Sequence, residues 1–324
     1  MCRKFKHGDA DMAEGSANSK NEEYYRLINA GGNHYDIGRK MTDAFTPQLH
    51  ERLTSKPDAV LLDNALKSAE ATFSVHPVLK DELQGISEGI AIEFESILCE
   101  ISDTFAAPAP SSTVLSRHDD RILVGRNFGS RPEAYVRNML RLDPNDAYAS
   151  LGRMGGYFGG TFESIGVYGI YAGAEIVERN AEPVQGTAAY MIPRMITESS
   201  RDIDSAVAKL RSIKPMHRSI FVVADASSAY VAEWNGSSLE ITRCEKFPLL
   251  VSGRRQSHPE SALGSADEIK SFLSSHDAGL CAHGPEGETI YSLVVDMAQE
   301  KVEYTAGSPC SSQYATIDWP GGYG

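Results

Sequence analysis

Two prolines within three residues, Pro108 and Pro110, bar any helix from crossing the stretch Ala107–Ser116, APAPSSTVLS. Proline removes a backbone donor, clashes with the preceding turn and pushes the residue before it into extended backbone. The chain changes character there. Upstream, Ile37, Met41, Phe45, Leu49 and Leu53 recur every four residues, the spacing of an amphipathic helix, with a kink or break expected at Pro47. Residues 61–73 and 76–93 read as two more helices, the latter with Leu79, Leu83, Ile86 and Ile90 on one side, and 94–101 continue the helical region. Downstream, short apolar runs bounded by turn residues predict strands at 111–115, 122–127, 134–142, 147–154 and 164–177. A helical pair is predicted at 188–198 and 203–213, with Asp202 as N-cap of the second. Further strands follow at 219–224, 228–234 and 239–243. Ser265–Glu268 caps a short helix, and 289–297 with 301–305 form a final hairpin. The expected organisation is a tail over 1–23, a helical region over 24–110 and a layered α+β core over 111–324.

The chain of 324 residues carries a net charge of −13, with no basic stripe to meet phosphates, so nucleic acid is not an expected partner. No apolar run approaches the roughly 20 residues of a membrane span, and the basic N-terminus lacks the apolar segment of a secretory signal, so a membrane partner is not expected either. Cys2, Cys99, Cys244, Cys281 and Cys310 are dispersed, with no CxxC pair. That pattern fits a reducing cytoplasm, and neither a metal nor another cofactor is expected from spacing. A homodimer is the default assembly on frequency alone.

Several motifs invite a site and have a plainer reading. Gly155-Gly156 and Gly159-Gly160 lie between predicted strands and do not open a helix after one, so a hairpin or a close backbone approach is expected there instead of a phosphate cradle. His118-Asp119-Asp120 reads as a surface turn. His217, His258, His276 and His283 lack ligand spacing along the chain. Arg254, in Ser252-Gly253-Arg254-Arg255, stands where an arginine at a strand end could grip a carboxylate, or simply sit on the surface.

A set of segments taken in order resembles the acyl-coenzyme A:6-aminopenicillanate acyltransferase family, peptidase family C45, within the N-terminal-nucleophile hydrolases. They are Tyr35-Asp36-Ile37-Gly38, Leu83-Gln84-Gly85-Ile86-Ser87-Glu88-Gly89, Gly125-Arg126-Asn127-Phe128, Phe162-Glu163-Ser164-Ile165-Gly166-Val167, Val223-Ala224-Asp225 with Val231-Ala232-Glu233, and Gly307-Ser308-Pro309-Cys310. The resemblance implies a four-layer αββα sandwich. It also implies a self-cut precursor whose new N-terminal cysteine serves as nucleophile, with its own α-amine as base.

Against that pattern the chain departs at five places. Pro110 stands where the cysteine is expected, followed by Ser111-Ser112. The expected aspartate falls on Gly129, two expected asparagines fall near Ala172 or Gly173 and on Ile220, and the expected Asn-His pair is absent from Ser252-Gly253-Arg254. Arg126 and Asn127 survive. The first expectation is a repurposed enzyme, a transferase, hydrolase or cyclase acting without a cysteine on a small acyl, acyl-thioester or amide metabolite, in a tailoring, condensation or cyclisation step. Its catalytic candidates are Arg126, Glu163 and Tyr157, with Ser112, Asn127, Glu175 and Arg254 around the substrate; Glu175 is the alternative acid or base. The second is an N-terminal serine hydrolase in which cleavage after Pro110 frees Ser111. The third is a small-molecule-binding protein without turnover.

Overall fold

In a computed structural model, the described residues are 26–44, 53, 59–103, 111–130, 138–155, 158–178, 185–253, 255–260, 263–284 and 287–321. The expected tail over 1–23, Pro47 with its expected kink, Pro110, Tyr157 and Arg254 lie outside them.

Two sheets form the centre. The first runs β1 (Arg26–Gly32), β4 (Asn138–Pro144), β5 (Ser150–Met154), β6 (Thr161–Gly166), β7 (Tyr171–Glu178), β8 (Arg218–Ala224), β9 (Ala229–Trp234) and β10 (Leu239–Arg243). The second runs β12 (Arg255–Ser257), β11 (Leu249–Ser252), β2 (Ser112–His118), β3 (Arg121–Ser130), β13 (Glu288–Asp296), β14 (Lys301–Ala306) and β15 (Ala315–Ile317). Among the described strands, all pairings are antiparallel except β1 with β4.

Helices cover the outer faces. On the first sheet, α5 (Ile192–Thr197) packs against β6 and β7, and α6 (Ile203–Ser212) against α5 and β8. On the second, α7 (Ala266–Leu273) packs against β3 and β13 over Val114, Leu123, Ile269, Leu273 and Val294. The inner faces meet each other: Phe128 of β3 lies tilted against Phe162 of β6, 4.5 Å between centroids, and stacks at 5.4 Å on Tyr291 of its own sheet. This is the αββα sandwich that the resemblance implied.

The N-terminal helices are α1 (His34–Met41), α2 (Ala59–Val75), α3 (Val78–Ile90) and α4 (Phe94–Asp103). They extend the helical layer on the first sheet: Thr72 Oγ1 of α2 donates to Thr187 Oγ1 at 3.1 Å, and Glu82 of α3 pairs with Arg194 of α5. One expectation changes. The region 24–110 is not wholly helical, because Arg26–Gly32 forms an edge strand in parallel register with 138–144. The predicted strand over 164–177 is two strands, turning at Gly166–Ile170, where Gly166 N donates to Ile170 O and Gly169 takes a φ of 76°.

Two of the family-like segments owe their glycines to packing. A Cβ on Gly38 of α1 would lie 1.9 Å from Glu82 O, and one on Gly85 of α3 would lie 2.1 Å from Tyr35 O. The two helix backbones therefore touch reciprocally, and no side chain fits between them. Gly85→Ala is expected to cost at least the roughly 1–3 kcal/mol typical of overpacking, read as a shift in the denaturant midpoint. A change below about 0.5 kcal/mol would contradict the close crossing.

Candidate functional site

Strand alternation decides what faces the space between the sheets. On β2 and β3, the pairs Thr113–Arg126 and Ser112–Asn127 are directly opposite in register, and neighbouring pairs project to opposite faces. Arg126 faces inward and is fully buried. On β6 and β7, Glu163, Tyr171, Gly173 and Glu175 alternate onto the facing surface, while Ser164 turns outward to Thr197 of α5 at 2.7 Å.

The result is a buried polar layer. Arg126 Nε lies 3.2 Å from Glu163 Oε2, and Nη1 lies 3.9 Å from Glu175 Oε1. Nη1 also donates to Thr113 Oγ1 at 3.0 Å, and Nη2 donates to Ala174 O at 2.7 Å. Tyr291 OH donates to Glu163 Oε2. Glu175 accepts from Thr113 Oγ1 at 3.2 Å and from Gly253 N at 3.1 Å. Arg153 of β5 adds a second buried guanidinium, 4.7 Å above the Tyr291 ring.

Burial sets the titration of these groups. It pushes the Glu175 carboxyl up to about 7, against the pull of Arg126 and the hydrogen bonds from Gly253 and Thr113. Glu163 is also raised by burial, held back by Arg126 and by the Tyr291 hydrogen bond. Tyr171 and Tyr291 stay protonated for the same first reason, burial. A carboxyl that changes charge near neutrality, beside a fixed cation, is the arrangement that general acid–base chemistry requires.

Gly173 shows how the departure from the family pattern is accommodated. A Cβ there would meet Tyr171 OH at 2.7 Å and Arg126 Nη1 at 3.1 Å. The space near which an asparagine was expected is thus filled by a guanidinium and a phenol from neighbouring positions.

Three expected site residues therefore come together: Arg126, Glu163 and Glu175. Ser111 precedes β2, is 6% exposed, and offers its carbonyl to Ser252 Oγ at 3.3 Å. Ser112 and Asn127 do not join the group. Their side chains lie on the opposite face of the sheet, and Asn127 Nδ2 donates to Leu273 O at 2.8 Å and Leu280 O at 2.9 Å. Arg126 differs from expectation in its engagement, since its outer nitrogens are already bonded within the layer and are not free to grip a substrate carboxylate. Thr113, Arg153, Tyr171 and Tyr291 were missed in the sequence; Thr113 lies two residues beyond Ser111, at the period that shares a face.

A second buried ionic group lies under the N-terminal helices. Arg194 grips Glu82 with Nη1–Oε1 at 2.6 Å and Nη2–Oε2 at 2.5 Å, and its Nε meets Glu198 Oε1 at 2.6 Å. His34 Nδ1 approaches Glu82 Oε2 at 3.2 Å. The glycine-rich loop serves this group: Gly159 O accepts from Arg194 Nη1 at 2.8 Å, and a Cβ on Gly159 would lie 2.2 Å from Glu82 Oε1. The backbone approach expected of that loop is to an ion pair. An open cleft of about 520 Å³ runs beside it, lined by Val75, His76, Asn145, Tyr148, Glu198 and Lys209. Burial, reinforced by Lys209, holds His76 down to about 3, which leaves its imidazole neutral.

None of the described helices is long and apolar enough to cross a membrane.

Comparison with known proteins bears on the strand core. Residues 116–247 match the family model of acyl-coenzyme A:6-aminopenicillanic acid acyl-transferase. No curated protein sequence matches the chain. Among solved structures, one variant of the conjugated bile acid hydrolase from Clostridium perfringens aligns at 11% identity, over 64% of this chain and 92% of that one, with a TM-score of 0.42. A second variant of that hydrolase gives 11% and 0.43 over the same shares. The N-acylethanolamine-hydrolyzing acid amidase ortholog of Caenorhabditis elegans aligns at 10% identity, over 57% of this chain and 92% of that one, with a TM-score of 0.35. The matched stretch holds Arg126, Glu163 and Glu175 and leaves Ser111 just outside it. The stretch similar to that family, residues 116–247, spans strands of both sheets of the αββα sandwich.

Proposed function

We propose that this protein is an enzyme acting on a small acyl, acyl-thioester or amide metabolite at the start of β2, with Glu175 carrying the proton where the family pattern calls for a cysteine. The reaction class is condensation or cyclisation, a tailoring step that needs no covalent acyl intermediate. The observation that carries the reading is the Glu175 carboxyl, brought to about 7 by burial and held between Thr113 Oγ1 and Gly253 N. A base with that affinity takes a proton from an attacking amine or hydroxyl and returns it to the leaving group near neutral pH. Arg126 steadies the charge that Glu175 gains. The space at the Gly253 turn, whose N–H bonds Glu175, is open: a Cβ there would meet nothing within 4 Å.

The test offers acyl thioesters, amides and amine acceptors to the full chain and follows products by mass spectrometry. Glu175→Gln is expected to lower kcat by about 10²–10⁴-fold with a small change in KM. Undiminished turnover in that variant would remove the assignment. Binding without any turnover in the unaltered protein would instead make it a small-molecule binder.

A second reading rests on Ser111. Ser252 Oγ holds the Ser111 carbonyl, and the next residue, Gly253, holds Glu175. A cut before Ser111 would free its α-amine next to its own hydroxyl and leave a carboxyl on Pro110, the pairing of an N-terminal nucleophile. Intact-mass measurement of the purified protein separates the two readings. One chain of full-length mass is expected, and two fragments parting at Pro110–Ser111 would transfer the chemistry to Ser111.

A further inference from the structure

Four side chains remote from the inter-sheet layer in sequence logic converge beyond the C-terminal end of α7. His276, Cys281 and His283 come from the segment after that helix, and Cys310 comes from the segment after β14. One donor atom from each lies within 4.8 Å of every other. Nε2 of His283 stands 3.2 Å from Cys310 Sγ and 3.5 Å from Cys281 Sγ. The His276 and His283 rings meet edge to face, 5.1 Å between centroids.

We propose that His276, Cys281, His283 and Cys310 bind one divalent zinc ion as a structural site that ties the α7 segment to the segment after β14. Zinc bonds of about 2.3 Å to sulfur and about 2.0–2.1 Å to nitrogen place tetrahedral donor atoms roughly 3.3–3.8 Å apart. The two His283–cysteine separations already fall close to that range, and a pair at the 4.8 Å limit needs to move in by roughly 1.0–1.5 Å. Two thiolates and two imidazoles, with no carboxylate in the group, suit zinc and disfavour magnesium or calcium. Four protein donors close the coordination shell, which makes the site structural and not catalytic.

The support around the site is already built. Asn127 holds both ends of the α7 turn through Leu273 O and Leu280 O. Ala282 N donates to Thr289 Oγ1 at 2.9 Å, and Ser308 Oγ donates to Thr289 O at 2.9 Å, so both donor-bearing segments hang on the same strand residue. Such second-sphere bonds orient ligands before the metal arrives. Zinc takes cysteine as the thiolate, so loading the site releases the thiol protons. The dispersed cysteines gave no metal expectation from spacing, because Cys310 reaches Cys281 only after the β13–β14 hairpin folds back.

The test uses the full chain, purified under reducing conditions, loaded with zinc and freed of excess by gel filtration. Elemental analysis is expected to find one zinc per chain. Cobalt(II) in its place is expected to give the intense visible bands of a tetrahedral site with thiolate-to-cobalt charge transfer. Cys310→Ser and His283→Ala are each expected to weaken zinc binding at least 100-fold in competition with a chromophoric chelator. Cys310 and His283 are exposed, so these variants keep the fold, and thermal unfolding checks it: zinc raises the midpoint of the parent and leaves that of Cys310→Ser unmoved. Substoichiometric zinc in the parent, equal zinc in parent and variants, or a Cys281–Cys310 disulfide in the freshly isolated protein would each overturn the site.

Discussion

Arg194→Met is expected to destabilise the fold by about 3–5 kcal/mol, the cost of leaving one partner of a buried ion pair uncompensated. Glu82 and Glu198 are fully buried, and Arg194 is 5% exposed in its side chain. Removing the guanidinium strands two carboxylates at once and unpins α3 from α5. Burial by itself would raise the Glu82 carboxyl, yet Arg194, and after it His34, pull it to about 2. The sign follows. A carboxyl lowered in the folded state contributes stability that is full above its ordinary value near 4.5 and is lost as pH falls through about 2. The gap between parent and Arg194→Met in urea unfolding should therefore be widest near neutrality and narrow on acidification. Adding Glu82→Gln to Arg194→Met should recover part of the loss, since it removes one of the stranded charges. A gap under about 1 kcal/mol at neutral pH would mean that water or a neighbouring cation replaces Arg194.

Periodicity made most of the fold legible. The helix ends at Asp202 and Ser265 lie where capping chemistry puts them, with Ser205 N bonded to Asp202 Oδ1 at 2.7 Å and Glu268 N to Ser265 Oγ at 3.2 Å. The Asp119 turn between β2 and β3 takes the positive φ that aspartate tolerates. What escaped was anything set by pairing at a distance. Residues 26–32 show no alternation strong enough to separate a strand from a loop, because their register comes from 138–144, more than a hundred residues away. The candidate site divides in the same way. Arg126 and Glu163 were singled out by the family-like segments Gly125–Phe128 and Phe162–Val167, with Glu175 as the alternative acid or base. Asn127 stood out equally, and only the pleat tells that it turns toward α7. The Glu82–Arg194 pair did leave a trace: Glu82 falls three residues after Leu79 and four before Ile86, on the apolar stripe of α3. Cys310 left none, since proximity to Cys281 is a product of the β13–β14 turn alone.

Glu175→Gln is expected to stabilise the protein by up to about 3 kcal/mol at pH 8 while leaving it almost unchanged near pH 4.5. A carboxyl raised from its ordinary value near 4.5 to about 7 keeps its proton in the folded state after the unfolded chain has released it. Between those values the folded state binds more protons, so stability falls as pH rises, and the full penalty stands above about 7. Glutamine keeps its one oxygen for Gly253 N, turns its amide nitrogen toward Thr113 Oγ1 and never ionises, so it escapes the penalty. Urea unfolding of parent and variant across pH 4.5 to 8 reads the difference as a widening gap. The same substitution is the one expected to lower kcat by about 10²–10⁴-fold, and the two outcomes belong together. A fold keeps a destabilising carboxyl in its interior when chemistry at the site needs a proton acceptor there. Parallel stability curves for parent and variant would place Glu175 at an ordinary carboxylate value, and with it would go the observation on which the proposed function stands. A widening gap with unaltered turnover would separate them differently, leaving Glu175 raised by burial and the proton transfer elsewhere.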